Sequence, residues 1–177
     1  GQAGDDQGFV RFHFNPSCSP LYKTGHQWWN VTFDGDTTYF SNSSANYSLY
    51  INSTLLNFVV NPNGTVYDEG QIVYMEGNIS DECEAVSGAT VNFRIKPDEQ
   101  DAADPQNPND ANYTAHWDSS DQGVGWRDIE MNSSKDYYSN GYFYKENAFQ
   151  IRKKPTLSGQ YIDPTSGGWG EFYTSEV

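Results

Sequence analysis

Apolar and polar residues alternate in short runs along most of the chain, and no apolar helical period lasts longer than about two turns. Val10, Phe12 and Phe14 alternate with Arg11 and His13. Trp29, Val31 and Phe33 alternate with Trp28, Asn30 and Thr32, and Tyr47, Leu49 and Ile51 with Asn46, Ser48, Tyr50 and Asn52. The same pattern returns at Val91, Phe93 and Ile95, at Ile129 and Met131, and at Phe149 and Ile151. In an extended backbone successive side chains point to opposite faces, so each run reads as a half-buried strand. Between the runs lie turn formers such as Asn61-Pro62-Asn63-Gly64, Asn140-Gly141 and Ser166-Gly167-Gly168. Short alternating strands broken by frequent turns predict an all-β fold, an antiparallel β-sandwich.

The chain also resembles itself. Val60-x-Pro62 and Gly70-Gln71-Ile72 return as Ile162-x-Pro164 and Gly170-Glu171-Phe172, at offsets of 102 and 100. More weakly, Trp28-x-x-Val31-x-Phe33 matches Trp126-x-x-Ile129-x-Met131, and Leu49-Tyr50-Ile51 matches Phe149-Gln150-Ile151. A period of about 100 residues is the size of an immunoglobulin-like domain. The expected organisation is the second half of one β-sandwich repeat over 1–53, a complete immunoglobulin-like sandwich over 54–155, and opening strands of a further repeat, or a donated tail, over 156–177. Each end would then expose what the other needs. Tyr161, Ile162, Trp169, Phe172 and Tyr173 would be assembly residues, completing the N-terminal half-domain of another copy. Such a contact does not close on itself and generates a filament. In a longer chain, adjoining repeats would supply the same strands.

Eight Asn-x-Ser/Thr triplets begin at Asn30, Asn42, Asn46, Asn52, Asn63, Asn78, Asn112 and Asn132. Chance association of 16 Asn with 28 Ser and Thr over 177 residues would give roughly 2.5. The excess points to N-linked glycans and an extracellular, cell-surface location. Asn46 and Asn52 fall on the polar parity of their strand, where a glycan would leave the core undisturbed.

Net charge is −14, which excludes a phosphate-binding face for nucleic acid and argues against an anionic membrane surface. No apolar stretch approaches the roughly 20 residues of a membrane span. Nor does a signal segment open the sequence, so an exported protein would be represented here by a mature or excised form. The two cysteines, Cys18 and Cys83, lack zinc spacing and favour a disulfide; two free thiols, or partners outside this chain, are the alternatives. The bond would close a loop of about 65 residues and contribute on the order of 4 kcal/mol in the chain-entropy model. No cofactor is required. Calcium is the one candidate ion, at Asp98, Glu99, Asp101 and Asp104 of an acidic Pro/Asn loop that lacks EF-hand spacing.

The segments GNISDECEAVSGATVNFRI, GWRDIEMNSSKDYYSNGYFYKENAFQIRKKP and GGWGEFYT resemble the repeated immunoglobulin-like modules of large archaeal cell-surface proteins, of the S-layer-like and adhesin-like kind. The resemblance covers most of the chain after Leu55. It implies a glycosylated structural building block of a surface layer or filament, without catalytic residues, whose partners are other copies or adjoining repeats. Two alternatives rest on particular residues. Trp28, Tyr50 and Trp117, read as exposed aromatics, would stack on sugar rings in a carbohydrate-binding module or adhesin domain. Glu171, beside Trp169 and Phe172, could be one carboxylate of a small jelly-roll glycosidase, though spacing names no second one.

Overall fold

The computed structural model describes residues 11–97, 100–106, 110–159 and 161–176, and the side chains of all these but 103–106 and 176. Five short strands come first: β1 (Gly25–Trp29), β2 (Thr32–Phe33), β3 (Asn42–Ser43), β4 (Tyr47–Ile51) and β5 (Ser53–Thr54). Then come β6 (Leu56–Asn61), β7 (Thr65–Asp68), β8 (Ile72–Ser80), β9 (Thr90–Lys96), β10 (Gln100–Asp101) and β11 (Ala103–Gln106). They are followed by β12 (Asn112–Asp118), β13 (Gly125–Ser134), β14 (Tyr138–Ser139) and β15 (Gly141–Arg152). A last pair is β16 (Tyr161–Asp163) and β17 (Thr174–Glu176). The described residues contain no helix, so none is long and apolar enough to cross a membrane.

The protein is an all-β sandwich. One sheet has the order β10-β9-β13-β15-β7 and the other β11-β12-β8-β6. Alternation drives their association. Val59, Val73, Met75 and Ile79 of one sheet meet Phe93, Ile95, Ile129, Met131, Phe149 and Ile151 of the other, all fully buried. Each such side chain contributes about 1.5–3 kcal/mol of transfer free energy. The sheets approach so closely at Gly77 that a Cβ there would sit 2.6 Å from Met131 Sδ and 3.0 Å from Phe93 Cζ. One buried polar group is fully used: Asn57 Nδ2 donates to the Met131 carbonyl (2.9 Å), and its oxygen accepts from Ser133 Oγ (2.6 Å).

The expectation of purely antiparallel sheets needs correction. β7 runs parallel to β15, and β5 parallel to β14. The cause of the first is a change of sheet within one stretch of chain. β6 pairs antiparallel with β8, then the Asn63–Gly64 turn carries the chain across to the other sheet, where it continues alongside β15. Gly64 makes that turn at φ +71° and donates its N–H to the Ala148 carbonyl (2.7 Å).

Before β6 the expectations hold less well. Val10 lies outside the described residues. Arg11 to Pro16 form no strand, and Phe12 is exposed, because no described residue pairs with this stretch. β1 and β4 do form, but as an isolated two-stranded sheet. Leu49 and Ile51 are half-buried, whereas Trp29, Val31, Phe33 and Tyr47 are exposed rather than inward-facing. A two-stranded ribbon has no second layer to pack on.

Candidate functional site: an unpartnered hairpin and a glycan-bearing surface

The β1–β4 hairpin repeats the geometry of β13–β15. Gly25 lies opposite Ile51, His26 opposite Tyr50 and Gln27 opposite Leu49. In the sandwich, Gly125 lies opposite Ile151, Trp126 opposite Gln150 and Arg127 opposite Phe149. Every residue in the first set stands 100 positions before its counterpart in the second. Gly25 and Gly125 both sit at positive φ, 108° and 129°. The match stops there: Trp29 lies opposite Tyr47, whereas Ile129, past a bulge after Arg127, lies opposite Lys145. The tail shares a single such pair with β6–β8. Tyr161 faces Glu176 across β16–β17 as Asn61 faces Glu76, and Gly70 and Gly170 both have positive φ, 87° and 91°.

What differs is the company. β13 and β15 are flanked by β9 and β7 and covered by the second sheet, which leaves Ile129 and Met131 at 0% exposure. Trp29 and Val31, at and just beyond the end of β1, are 47% and 53% exposed. Apolar side chains are core on the one hairpin and bare at the end of the other. At the other end Tyr161, Ile162, Trp169, Phe172 and Tyr173 are likewise exposed, on or beside the tail hairpin.

Local contacts hold the N-terminal segment against the sandwich. Cys18 and Cys83 form a disulfide, Cα–Cα 5.2 Å, which ties the stretch before β1 to the loop after β8. That loop is built around Asp81, whose Oδ1 accepts the Cys83 and Glu84 N–H groups at 2.7 and 2.8 Å. Asp81 Oδ2 accepts from Tyr138 (3.3 Å), and Ser53 donates to the Glu82 carboxylate, which lowers the pKa of Glu82. A cleft of about 220 Å³ lies beside the disulfide, lined in part by Tyr22, Thr24, Ser53 and Asp81. The acidic groups there already serve these turns. β5 also pairs with β14, so the junction is continuous with the sandwich.

Asn30, Asn42, Asn46, Asn52, Asn63 and Asn78 are exposed. Asn112 and Asn132 are half-buried, and their Nδ2 atoms donate to Glu76 (2.9 Å) and Glu130 (2.7 Å). Asn30 Nδ2 donates to Asn46 Oδ1 (3.3 Å) just beyond the β1–β4 ladder. A row of rings runs along this hairpin: Trp28 against His26, His26 stacked on Tyr50, and Tyr50 stacked on Tyr137. The signal for these contacts was in the sequence only as aromatic richness; the cross-strand register is what brings the rings together.

The remaining candidates scatter. Trp117 is not an exposed sugar platform: it is 5% exposed, packs on Phe149, and donates to Gln100 Oε1 (2.8 Å). Glu171 accepts the Gly168 N–H (2.9 Å) in a turn where Trp169 and Phe172 stand out in water, which is not a cleft. Asp98 and Glu99 lie outside the described residues, as does the side chain of Asp104. Asp101 pairs with Arg94 (3.1 Å). Among the described residues no group of three or more His, Cys, Asp or Glu could hold a metal.

Fold and surface together define a disulfide-linked β-sandwich protein with strand motifs repeated at its ends. No family model matches the chain, and no curated protein matches it. Among solved structures it is similar to the "S-layer protein SbsC domains 4 and 5", at 11% identity and a TM-score of 0.40, over 72% of this chain and 76% of that one. So distant a likeness carries no argument about what this chain does.

Proposed function

We propose that this chain is a non-enzymatic, N-glycosylated structural module of an extracellular surface layer or filament, of the archaeal kind its motifs resemble, and that it joins its neighbours by strand complementation. The observation that carries the reading is the pair of repeated hairpins. β1–β4 shares its first three cross-strand pairs with β13–β15 but, among the described residues, has no strands that flank or cover it. The tail shares one cross-strand pair with β6–β8, which in the sandwich packs opposite β13–β15. A tail from another copy, or from an adjoining repeat, would give Trp29 and Val31 the apolar layer that Ile129 and Met131 already have. Unpaired strand edges in water favour such addition. The disulfide and the eight sequons support an oxidising exterior. The sugar-binding alternative loses Trp117, one of its three rings, to the core.

Deleting Ser158 to Val177 tests the mode of assembly. The full chain should polymerise or self-associate in electron microscopy and sedimentation, and the truncated chain should remain monomeric. Polymers of the truncated chain would rule out tail donation. A full chain that stays monomeric at high concentration would leave adjoining repeats as the donors.

A further inference from the structure

Several of the exposed rings are not randomly placed on the surface. They stand beside sequon asparagines, in one of two strand relationships. In the first, the ring is two residues before the asparagine, so that both side chains leave the same face of an extended backbone, about 7 Å apart along it. Trp28 stands so to Asn30, the residue after β1, and Phe40 precedes Asn42 by the same two residues, just ahead of β3. In the second, the ring is directly opposite across an antiparallel pair, where Cβ atoms are about 5 Å apart. Phe58 faces Asn78, and Tyr142 faces Asn132. These rings are largely in water: Trp28 is 66% exposed and Phe40 95%. An aromatic side chain left this bare forgoes hydrophobic stabilisation that a covering group would supply.

We infer that Trp28, Phe40 and Phe58 are stacking platforms for the sugars attached to Asn30, Asn42 and Asn78, so that each glycan is the occupant that covers its ring. The inference rests on the N-glycosylation reading above and adds to it where the sugars lie. A pyranose ring presents a face of axial C–H groups. These carry slight positive charge and meet the negative face of an aromatic ring, while the contact removes apolar area from water. A sugar linked to Nδ2 pays little extra entropy to fold back, because the covalent bond already holds it within reach. Trp28 and Phe58 each have one ring neighbour, His26 and Phe143, whereas Tyr50, two residues before Asn52, has two, His26 and Tyr137. Asn63 is the contrast. It lies in a turn with Asn61, not a ring, two residues before it.

The test uses the glycoprotein itself. Mass spectrometry of its glycopeptides first gives the occupancy of each asparagine, and NMR then reads the ring protons of each linking sugar. The expected result is an upfield ring-current shift for the sugars on Asn30, Asn42 and Asn78 relative to the sugar on Asn63. Trp28→Ala should abolish the shift at Asn30 alone, and Phe40→Ala that at Asn42 alone. Trp28→Phe should retain it, which separates loss of the platform from loss of the fold. Occupied Asn30 and Asn42 with shifts equal to that of Asn63, unchanged by Trp28→Ala and Phe40→Ala, would overturn the inference while leaving glycosylation standing. Bare asparagines would overturn both.

Discussion

At Gly141 the side chain of Asn57 comes close enough that an added Cβ would lie 2.8 Å from Asn57 Cγ, and closer still to its oxygen and to Ser133 Oγ. Gly141→Ala should therefore push Asn57 off the Met131 carbonyl and destabilise the sandwich by about 1–3 kcal/mol, read as a lower urea midpoint. A second residue-scale effect is set by pH. Tyr144 donates to the Asp128 carboxylate, which pushes its pKa up to about 12 from 10.0. Tyr67, Tyr113 and Tyr138 are also raised, chiefly by burial. A folded pKa above the unfolded one means stability that is complete below the unfolded value and lost as pH rises through the folded one. The melting temperature should thus fall between about pH 10 and 12. Tyr144→Phe should make that fall shallower; an unchanged slope would show that the Asp128 contact contributes nothing.

Among the elements, the strands of the sandwich and those before it depend on different forces. The sandwich strands bury one face each, and the apolar set from Val59 to Ile151 holds them. β1 to β4 bury little and rely on the Cys18–Cys83 bond, the β5–β14 pairing and the Asp81 turn. Reduction should consequently leave the sandwich folded while the stretch between Pro20 and Tyr50 becomes sensitive to protease. The total loss of stability is on the order of 4 kcal/mol in the loop-closure picture. If limited proteolysis after reduction cuts the sandwich loops first, that division of labour is wrong.

For the whole molecule, the relevant quantities are a net charge of −14 and two apolar ends. Copies approaching end to end repel one another through their charge and attract through their bare hairpins. Screening reaches about 8 Å at physiological ionic strength and about 3 Å at 1 M. Added salt should therefore promote self-association of the full chain, with light scattering rising as sodium chloride increases. Dissociation by salt would instead mean that ion pairs, not apolar strands, make the contact.

The sequence by itself determined the all-β class, the core faces of β9, β13 and the end of β15, the cysteine pair and the places a glycan can attach. Each of these follows from local rules: a period of two, a turn former, a triplet, a cysteine count. It also suggested a repeat of about 100 residues, of which the strand ladders share three pairs at one place and one at another. Tertiary structure alone decided that β7 crosses sheets to lie parallel to β15, that Trp117 is core, and that Trp29, Val31 and Phe33 face water despite the right parity. Alternation says which side chains share a face. Only the presence or absence of a second layer against that face decides whether they are buried.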